Sequence, residues 1–362
     1  MAQEATYRPI IEEGKVWKVG EIHVANPVYE TSCLHYYYFD GDTIIGGVKC
    51  KKMMCHDVAK YPLSDGTLEA TCYVGAMYEQ QKKVYIFKPD ETEPLLLYDF
   101  GLEPSETEYV ANGGYHSGVR EIKVTSKEYV NNANYKGNYL AWTLFDSYRE
   151  EWDENNLYGW MEGVGFIVEP IYNGVEEMIS PRIMNLMSCT VGDEVIYYNP
   201  DIIDGVNPLD EETKKRIDFT HVVKPRPKAP HQKAEADGDQ LNGAYTLRLL
   251  DLDLGTMSDT YHVTITDDTG NVVYQKTVRA ADVLSLNINI SEWAAPSYTI
   301  NVENDYEQYI GTFELTPTDI EEVKSEELKV KTNAVYDLTG RRLTCEPKKG
   351  MYIKDGRKYL KR

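Results

Sequence analysis

The strongest constraint on this chain is a repeated pattern of short runs rich in Val, Ile, Tyr and Thr, each closed by Gly, Asp, Asn or Pro. Such runs fall at Lys15–Val19, Leu34–Phe39, Thr43–Ile45, Thr71–Tyr78, Lys83–Phe87, Leu95–Tyr98, Gly118–Thr125, Tyr139–Phe145, Gly165–Ile171 and Glu194–Tyr198. Short half-apolar runs bounded by turn residues are strands. Asp40-Gly41-Asp42 and Gly46-Gly47 are turn sites, because Gly reaches positive φ without strain. Helical periodicity is weak throughout, and only Ser180–Met187 is compatible with a short helix. The expected fold class is mainly β, with residues 5–200 forming an N-terminal β-rich domain.

The character changes at 201–242. Asp210–Ile217 is compatible with one or two helical turns, and Lys224-Pro-Arg-Pro-Lys-Ala-Pro230 has the composition of a stiff extended linker. Strand patterning returns over 243–316, at Tyr245–Leu250, Thr260–Thr266, Val272–Val278, Ser285–Ile290, Tyr298–Val302 and Gly311–Leu315. Asp267–Asn271 is a hairpin loop with Gly270 in the left-handed position. This predicts an immunoglobulin-like β-sandwich. It contains no cysteine, so Trp293 and the aliphatic strands must supply its core. Residues 317–334 are polar and read as a second linker.

The tail, 335–362, reads as a small β-hairpin unit, with Val335–Leu338 as a strand, a Thr339-Gly340 turn, and Met351–Ile353 returning through Asp355-Gly356 to Tyr359-Leu360. It is too small to bury a core of its own. It carries nine Lys/Arg against three acids, or +6, so the rest of the chain must carry −27 to reach the total of −21. The phrases VYDLTGRRL and KKGMYIKDGRKYLKR resemble the type A-like C-terminal sorting domain read by the type IX secretion system of Bacteroidetes. The resemblance implies that Tyr336, Gly340, Gly350, Tyr352, Gly356 and Lys358 carry the sorting signal, and that the partner is the secretion machinery. It also implies a secreted or outer-membrane surface location.

Further phrases, YRPIIEEGKVWKVG, FDGDTIIGGVKCKKM, GAMYEQQKKVYIF, LLLYDFGLEPSETE and MEGVGFIVEP, are similar to a β-rich domain of secreted Bacteroidetes proteins, chiefly of Prevotella and Bacteroides. That resemblance brings no established activity. Cys50 and Cys55-His56 depart from its pattern. The start, MAQEATYRP, lacks an apolar signal region and reads as following a removed signal peptide. No apolar run is long enough for a membrane span. The negative charge argues against nucleic acid, whose phosphates need a basic footprint.

Several groups are candidates for chemistry. Cys50-x4-Cys55-His56 has neither the two-residue spacing of haem attachment nor a fourth zinc ligand, so a disulfide or buried thiols is the expectation, with no metal and no cofactor. Cys33, Cys50, Cys55, Cys72 and Cys189 are an odd set in the first 200 residues, leaving at least one free or paired elsewhere, and Cys345 lies in the tail. Chain composition is rich in Tyr, 29 against 7 Phe, which suits strand faces and binding surfaces alike. The stretch AWTLFDSYREEWDENNLYGW sets Trp142, Tyr148, Trp152, Tyr158 and Trp160 among carboxylates, as a glycan platform would. Trp142 is expected to point inward and Trp152 outward.

His116 sits in a Gly-rich loop and reads as solvated. Residues 237–243 lack the spacing of a calcium loop. With no complete catalytic set, the expected function is a secreted or surface-attached, non-catalytic binding or adhesion protein, its ligand a glycan or a host or surface protein. The alternatives are a glycan-active hydrolase using carboxylates in 142–162, or a structural surface-layer component.

Overall fold

A computed structural model describes residues 7–23, 31–60, 67–111, 119–146, 151–152, 158–168, 170–171, 182–202, 214–224, 241–246, 248–255 and 257–315, together with the strand backbones of the tail. The fold is mainly β, and no α-helix occurs among the described residues. The N-terminal unit contains β1 (Lys15–His23), β2 (Thr31–Ile45), β3 (Val48–Lys60), β4 (Thr67–Gln80), β5 (Lys83–Phe87), β6 (Leu95–Asp99), β7 (Thr107–Ala111), β8 (Val119–Asn131), β9 (Lys136–Asp146), β10 (Glu151–Trp152), β11 (Tyr158–Met161), β12 (Arg182–Val191) and β13 (Glu194–Tyr198). The second unit contains β14 (Lys215–Ile217), β15 (Phe219–Val223), β16 (Asn242–Tyr245), β17 (Leu249–Asp253), β18 (Thr260–Asp267), β19 (Val272–Arg279), β20 (Ser285–Asn289), β21 (Ser297–Glu303) and β22 (Glu307–Glu314). The tail forms β23 (Val335–Tyr336), β24 (Arg342–Leu343), β25 (Gly350–Lys354) and β26 (Arg357–Lys361).

Each unit is a two-sheet sandwich. In the first, β7 to β11 cover one face of the β1–β6 meander, and Trp17, Trp142 and Trp160 lie fully buried between the layers. Trp160 meets Tyr98 edge-on at 5.3 Å and Trp142 at the same centroid distance. In the second, the sheet β15-β22-β21-β18-β19 shares one core with β16, β17 and β20, through Val263, Ile265, Leu286, Ile288, Ile300 and Val302. The half-buried Trp293 stacks near Tyr298 at 4.8 Å, so this core closes on an aromatic cluster rather than a disulfide. Gly243 and Gly311 are required here. A Cβ on either would stand 2.9 or 2.7 Å from the Phe219 ring that lies between them.

Several expected elements differ in the structure. Of the two expected turn sites, Asp40–Asp42 is a bulge inside the continuous β2, with Gly41 at φ 76°, whereas Gly46-Gly47 is the hairpin turn. The lysine-rich run after it is β3, whose outward face is charged while Met53 and Cys55 face the core. Residues 182–187, part of the expected short helix, lie in β12, because β1 and β13 pair with it on both sides. Residues 165–168 and 170–171 form bends and turns with one isolated bridge, Met161 to Gly165, and not a strand. The stretch 201–242, expected as a linker, supplies β14 and β15 to the second sandwich. Residues 203–213, 225–240 and 317–334 lie outside the described residues. The tail strands pair among themselves in the order β24-β23-β25-β26, apart from both sandwiches.

The two sandwiches share a sheet. β20 pairs with β13 through Glu194–Leu286 and Val195–Ser285, which joins twelve strands into one sheet running from β14 to β6. Flanking amides extend the seam: Leu284 N–H donates to Val195 O at 2.8 Å and Asn287 N–H to Asp193 O at 2.8 Å. The Lys136 side chain crosses it. Its ammonium is 5% exposed and donates to the carbonyls of Ala280 (2.9 Å), Val283 (3.2 Å) and Met257 (3.5 Å).

Replacing Lys136 by Met keeps the stem and strands those carbonyls without a donor. The expected cost is about 2–4 kcal/mol. Hydrogen exchange at the Leu284 and Asn287 amides should accelerate while β21 stays protected; unchanged exchange at the seam would remove this role.

Candidate functional site

A cleft of about 350 Å³ opens where the sandwiches meet. Six separated segments build it: the chain before β1, the end of β8, the start of β9, the turn after β11, β13, and the short 3-10 turn Ala280–Asp282 of the second unit with its flanks. Arg8 is the hub. Its guanidinium reaches Glu12 at 3.2 Å and Glu194 at 3.1 Å, and donates to Asp282 O at 3.2 Å. Burial works to lower the Arg8 pKa, but Glu12 and Glu194 outweigh it and raise it. Asp193, next in the chain to Glu194, accepts from Tyr274 and Lys276, and Lys276 also lies 3.2 Å from Glu194.

The floor is formed by Tyr135 and Glu162. Tyr135 donates its hydroxyl proton toward Asn138 O (2.8 Å) and Glu162 O (2.9 Å), and burial raises its pKa well above the ordinary value. The Glu162 carboxylate, 5% exposed, accepts from Asn138 Nδ2 at 2.7 Å. Burial raises its pKa against the opposing pull of that hydrogen bond. Tyr129 stands at the rim, 46% exposed, with its hydroxyl on Ala281 O at 2.9 Å. A cleft of this size with polar walls and an aromatic rim is shaped for a small polar ligand.

The expected aromatic platform lies elsewhere. Trp142 and Trp160 are fully buried and belong to the core, with the half-buried Tyr158 stacked on Trp142 at 4.9 Å. Trp142 shares the inward face of β9 with Leu140, and Trp160 pairs opposite Leu140 from β11. Trp152 is half-buried, edge-on to Phe145 at 5.3 Å, with Lys123 Nζ 5.5 Å from its ring centroid. Tyr148 and the carboxylates Glu150, Asp153 and Glu154 lie outside the described residues. Among the described side chains of 142–162, Glu162 is a carboxylate that lines the cleft. Nothing in the sequence marked Arg8, Lys136 or Glu194, since the cleft draws single residues from distant segments.

Cys50, Cys55 and His56 are not gathered into one group. Cys50 packs with Ala76 and Phe87, whereas Cys55 faces the main core and lies 3.1 Å from Asp57 Oδ1. His56 points to the other face and meets Thr71 Oγ1 at 2.9 Å. The five cysteines of the first 200 residues are all free thiols. Beside Asp57, however, a mixed cluster of Glu21, Cys33 and His35 brings potential ligand atoms within 4.8 Å of one another. Of the sorting residues, Tyr336, Gly350, Tyr352 and Lys358 lie on tail strands. Gly340, Gly356, Cys345, His116 and His231 fall outside the described residues.

Residues 243–313 match the family described as the secretion system C-terminal sorting domain. The match covers the second sandwich from β16 into β22, the segment expected to be immunoglobulin-like, and stops before the tail. A search of curated proteins finds no match. No helix among the described residues is long and apolar enough to cross a membrane. The sorting-domain similarity indicates export through the type IX secretion system and a secreted or cell-surface protein.

Proposed function

We propose that this chain is a secreted or surface-attached binding protein of a Bacteroidetes, acting without catalysis and taking a short glycan in the cleft between its sandwiches. The observation that carries the reading is the state of the cleft's charges. Arg8, Glu194, Lys276 and Lys136 are already engaged with one another or with backbone across the seam. They brace a shape and do not assemble a nucleophile with its base. What the cleft offers an incoming ligand is concavity, polar walls and the accessible Tyr129 ring, which suits a sugar face and its hydroxyls. A protein partner would instead use a broad flat surface, and a 350 Å³ recess is small for that.

Glycan-array screening followed by titration of the best hit tests this. Tyr129→Ala should weaken binding about fivefold, in line with about 1 kcal/mol for a lost aromatic contact. Tyr129→Phe, which loses only the bond to Ala281, should bind nearly as well. An array silent for glycans, or a hit indifferent to Tyr129→Ala, would end the cleft reading.

One observation favours a second reading, a glycan hydrolase. Burial raises the Glu162 pKa, and a raised carboxyl is the form a general acid takes. An acid must be protonated to act, so hydrolysis would be fastest below the raised pKa and fall as pH rises through it. Glu162→Gln would then abolish turnover while leaving ligand binding intact. Binding without turnover at any pH in the unmodified protein decides for the first reading.

Two segments compete for the export address. The tail is basic, and its four strands form a sheet of their own, which supports an address carried by Tyr336, Gly340, Gly350, Tyr352, Gly356 and Lys358. Deleting 335–362 should then leave the protein folded but held in the periplasm. Normal appearance of the truncated protein in the medium would place the address within 243–313.

A further inference from the structure

The far end of the β1–β2–β3 ribbon, away from the Gly46-Gly47 turn, carries a group of polar side chains at the margin of the core that the cleft does not use. Cys33 and His35 are two residues apart on β2, and Cys55 and Asp57 two apart on β3, so each pair shares a face. Register brings the pairs together: His35 lies opposite Asp57 on one side, and Cys33 opposite Glu21 of β1 on the other. Asp57 Oδ1 lies 2.7 Å from His35 Nδ1. That contact fixes the ring and turns Nε2 the other way, toward Glu21 Oε2 at 3.6 Å.

We propose that Glu21, Cys33 and His35 form a binding site for a divalent transition ion of the zinc class, with Asp57 orienting the histidine from behind. Four observations carry this. The ligand atoms of Glu21, Cys33 and His35 lie within 4.8 Å of one another. A tetrahedral zinc ion with bonds of about 2.0–2.3 Å holds its ligands about 3.3–3.8 Å apart, so only a small closure is needed. His35 Nε2 is buried and has no hydrogen-bond partner, although a lone pair or a proton there needs one. A carboxylate hydrogen-bonded to the far nitrogen of a ligating histidine is the usual outer support of such sites. The placement of charge also points to a cation: the Glu21 carboxylate lies 3.6 Å from His35 Nε2, with the Cys33 sulfur in the same group.

The donor set defines the ion. One sulfur, one imidazole and one carboxylate suit zinc, cobalt or copper, and not calcium or magnesium, which take oxygen ligands. On binding, the Cys33 thiol gives up its proton and the sulfur bonds the metal as thiolate. Three protein ligands leave the fourth position to water. Glu21 is 8% exposed and the His35 side chain 15%, so the ion would sit at the margin of the core, within reach of solvent.

The test uses the full chain, reduced and stripped of metal. Zinc titrated into it by calorimetry should bind one ion per chain. Cobalt in its place should give a sulfur-to-metal charge-transfer band with tetrahedral d–d absorption. Cys33→Ser should remove the sulfur band, and His35→Gln should weaken binding by more than tenfold. His56→Ala, on the opposite face, should change neither. Since substitutions in a strand risk misfolding, the unmodified protein gives a second reading: saturating zinc should slow alkylation of Cys33 by iodoacetamide. Absence of saturable zinc binding, a sulfur band that survives Cys33→Ser in a folded protein, or alkylation of Cys33 undiminished by zinc would each overturn the site.

Discussion

Two residue pairs between β13 and β20 hold the architecture together, and by themselves they are too few to do so. An antiparallel contact of two residues leaves the strands free to splay, and both edges would otherwise stand open to pairing with other chains. The seam is made firm by side chains that cross it. Lys136 spends its whole ammonium on carbonyls of the other unit, Arg8 ties Glu12, Glu194 and the Asp282 carbonyl together, and Asp193 receives Tyr274 and Lys276. Charges this enclosed are expensive to leave unpaired, so the seam closes as a unit or not at all. The cleft is a by-product of that closure, because the braces run along its walls.

This has a consequence for the sorting-domain match. The matched segment, 243–313, includes β20 and so the strand that joins the N-terminal sheet. It is docked on the domain it accompanies and is not a pendant tag. The surface it leaves accessible is the far side, at the β19 edge with Val272 (56% exposed). The strands of the basic tail, by contrast, pair with neither unit among the described residues.

How much of this was legible follows from where each signal lies. Tyr261 to Ile265 and Leu286 to Ile290 alternate cleanly, and both are strands with their apolar members inside. The Asp267 loop was legible too: Gly270 has φ 86°, and Asp267 caps the turn with hydrogen bonds from Thr269 and Asn271 that hold its pKa down to about 2. β3 was hidden because charge stands on both of its faces: Lys49 and Lys51 precede Met53 and Cys55 on one, and Lys52 and His56 lie on the other. β12 was hidden because its place is set by neighbours far away in sequence. The aromatic stretch from Trp142 to Trp160 looked like a platform because composition records which rings are present but not which face of a strand they occupy.

The histidine cluster shows the same limit with a sharper edge. Attention to adjacency favours Cys55-His56, yet neighbours on a strand point to opposite faces, so those two residues are the pair least able to meet. Spacing of two is what counts in a sheet. Cys33-x-His35 and Cys55-x-Asp57 both have it, and each was visible in the sequence as a one-face pair. What the sequence lacked was register. The β2–β3 ladder shifts at the bulge between Phe39 and Asp42, and on the far side of that shift His35 falls opposite Asp57. A slip of one residue would send Asp57 to the other face and leave His35 Nδ1 without its acceptor. The bulge that replaces the expected turn at Asp40–Asp42 therefore belongs to the same ladder whose register sets His35 opposite Asp57.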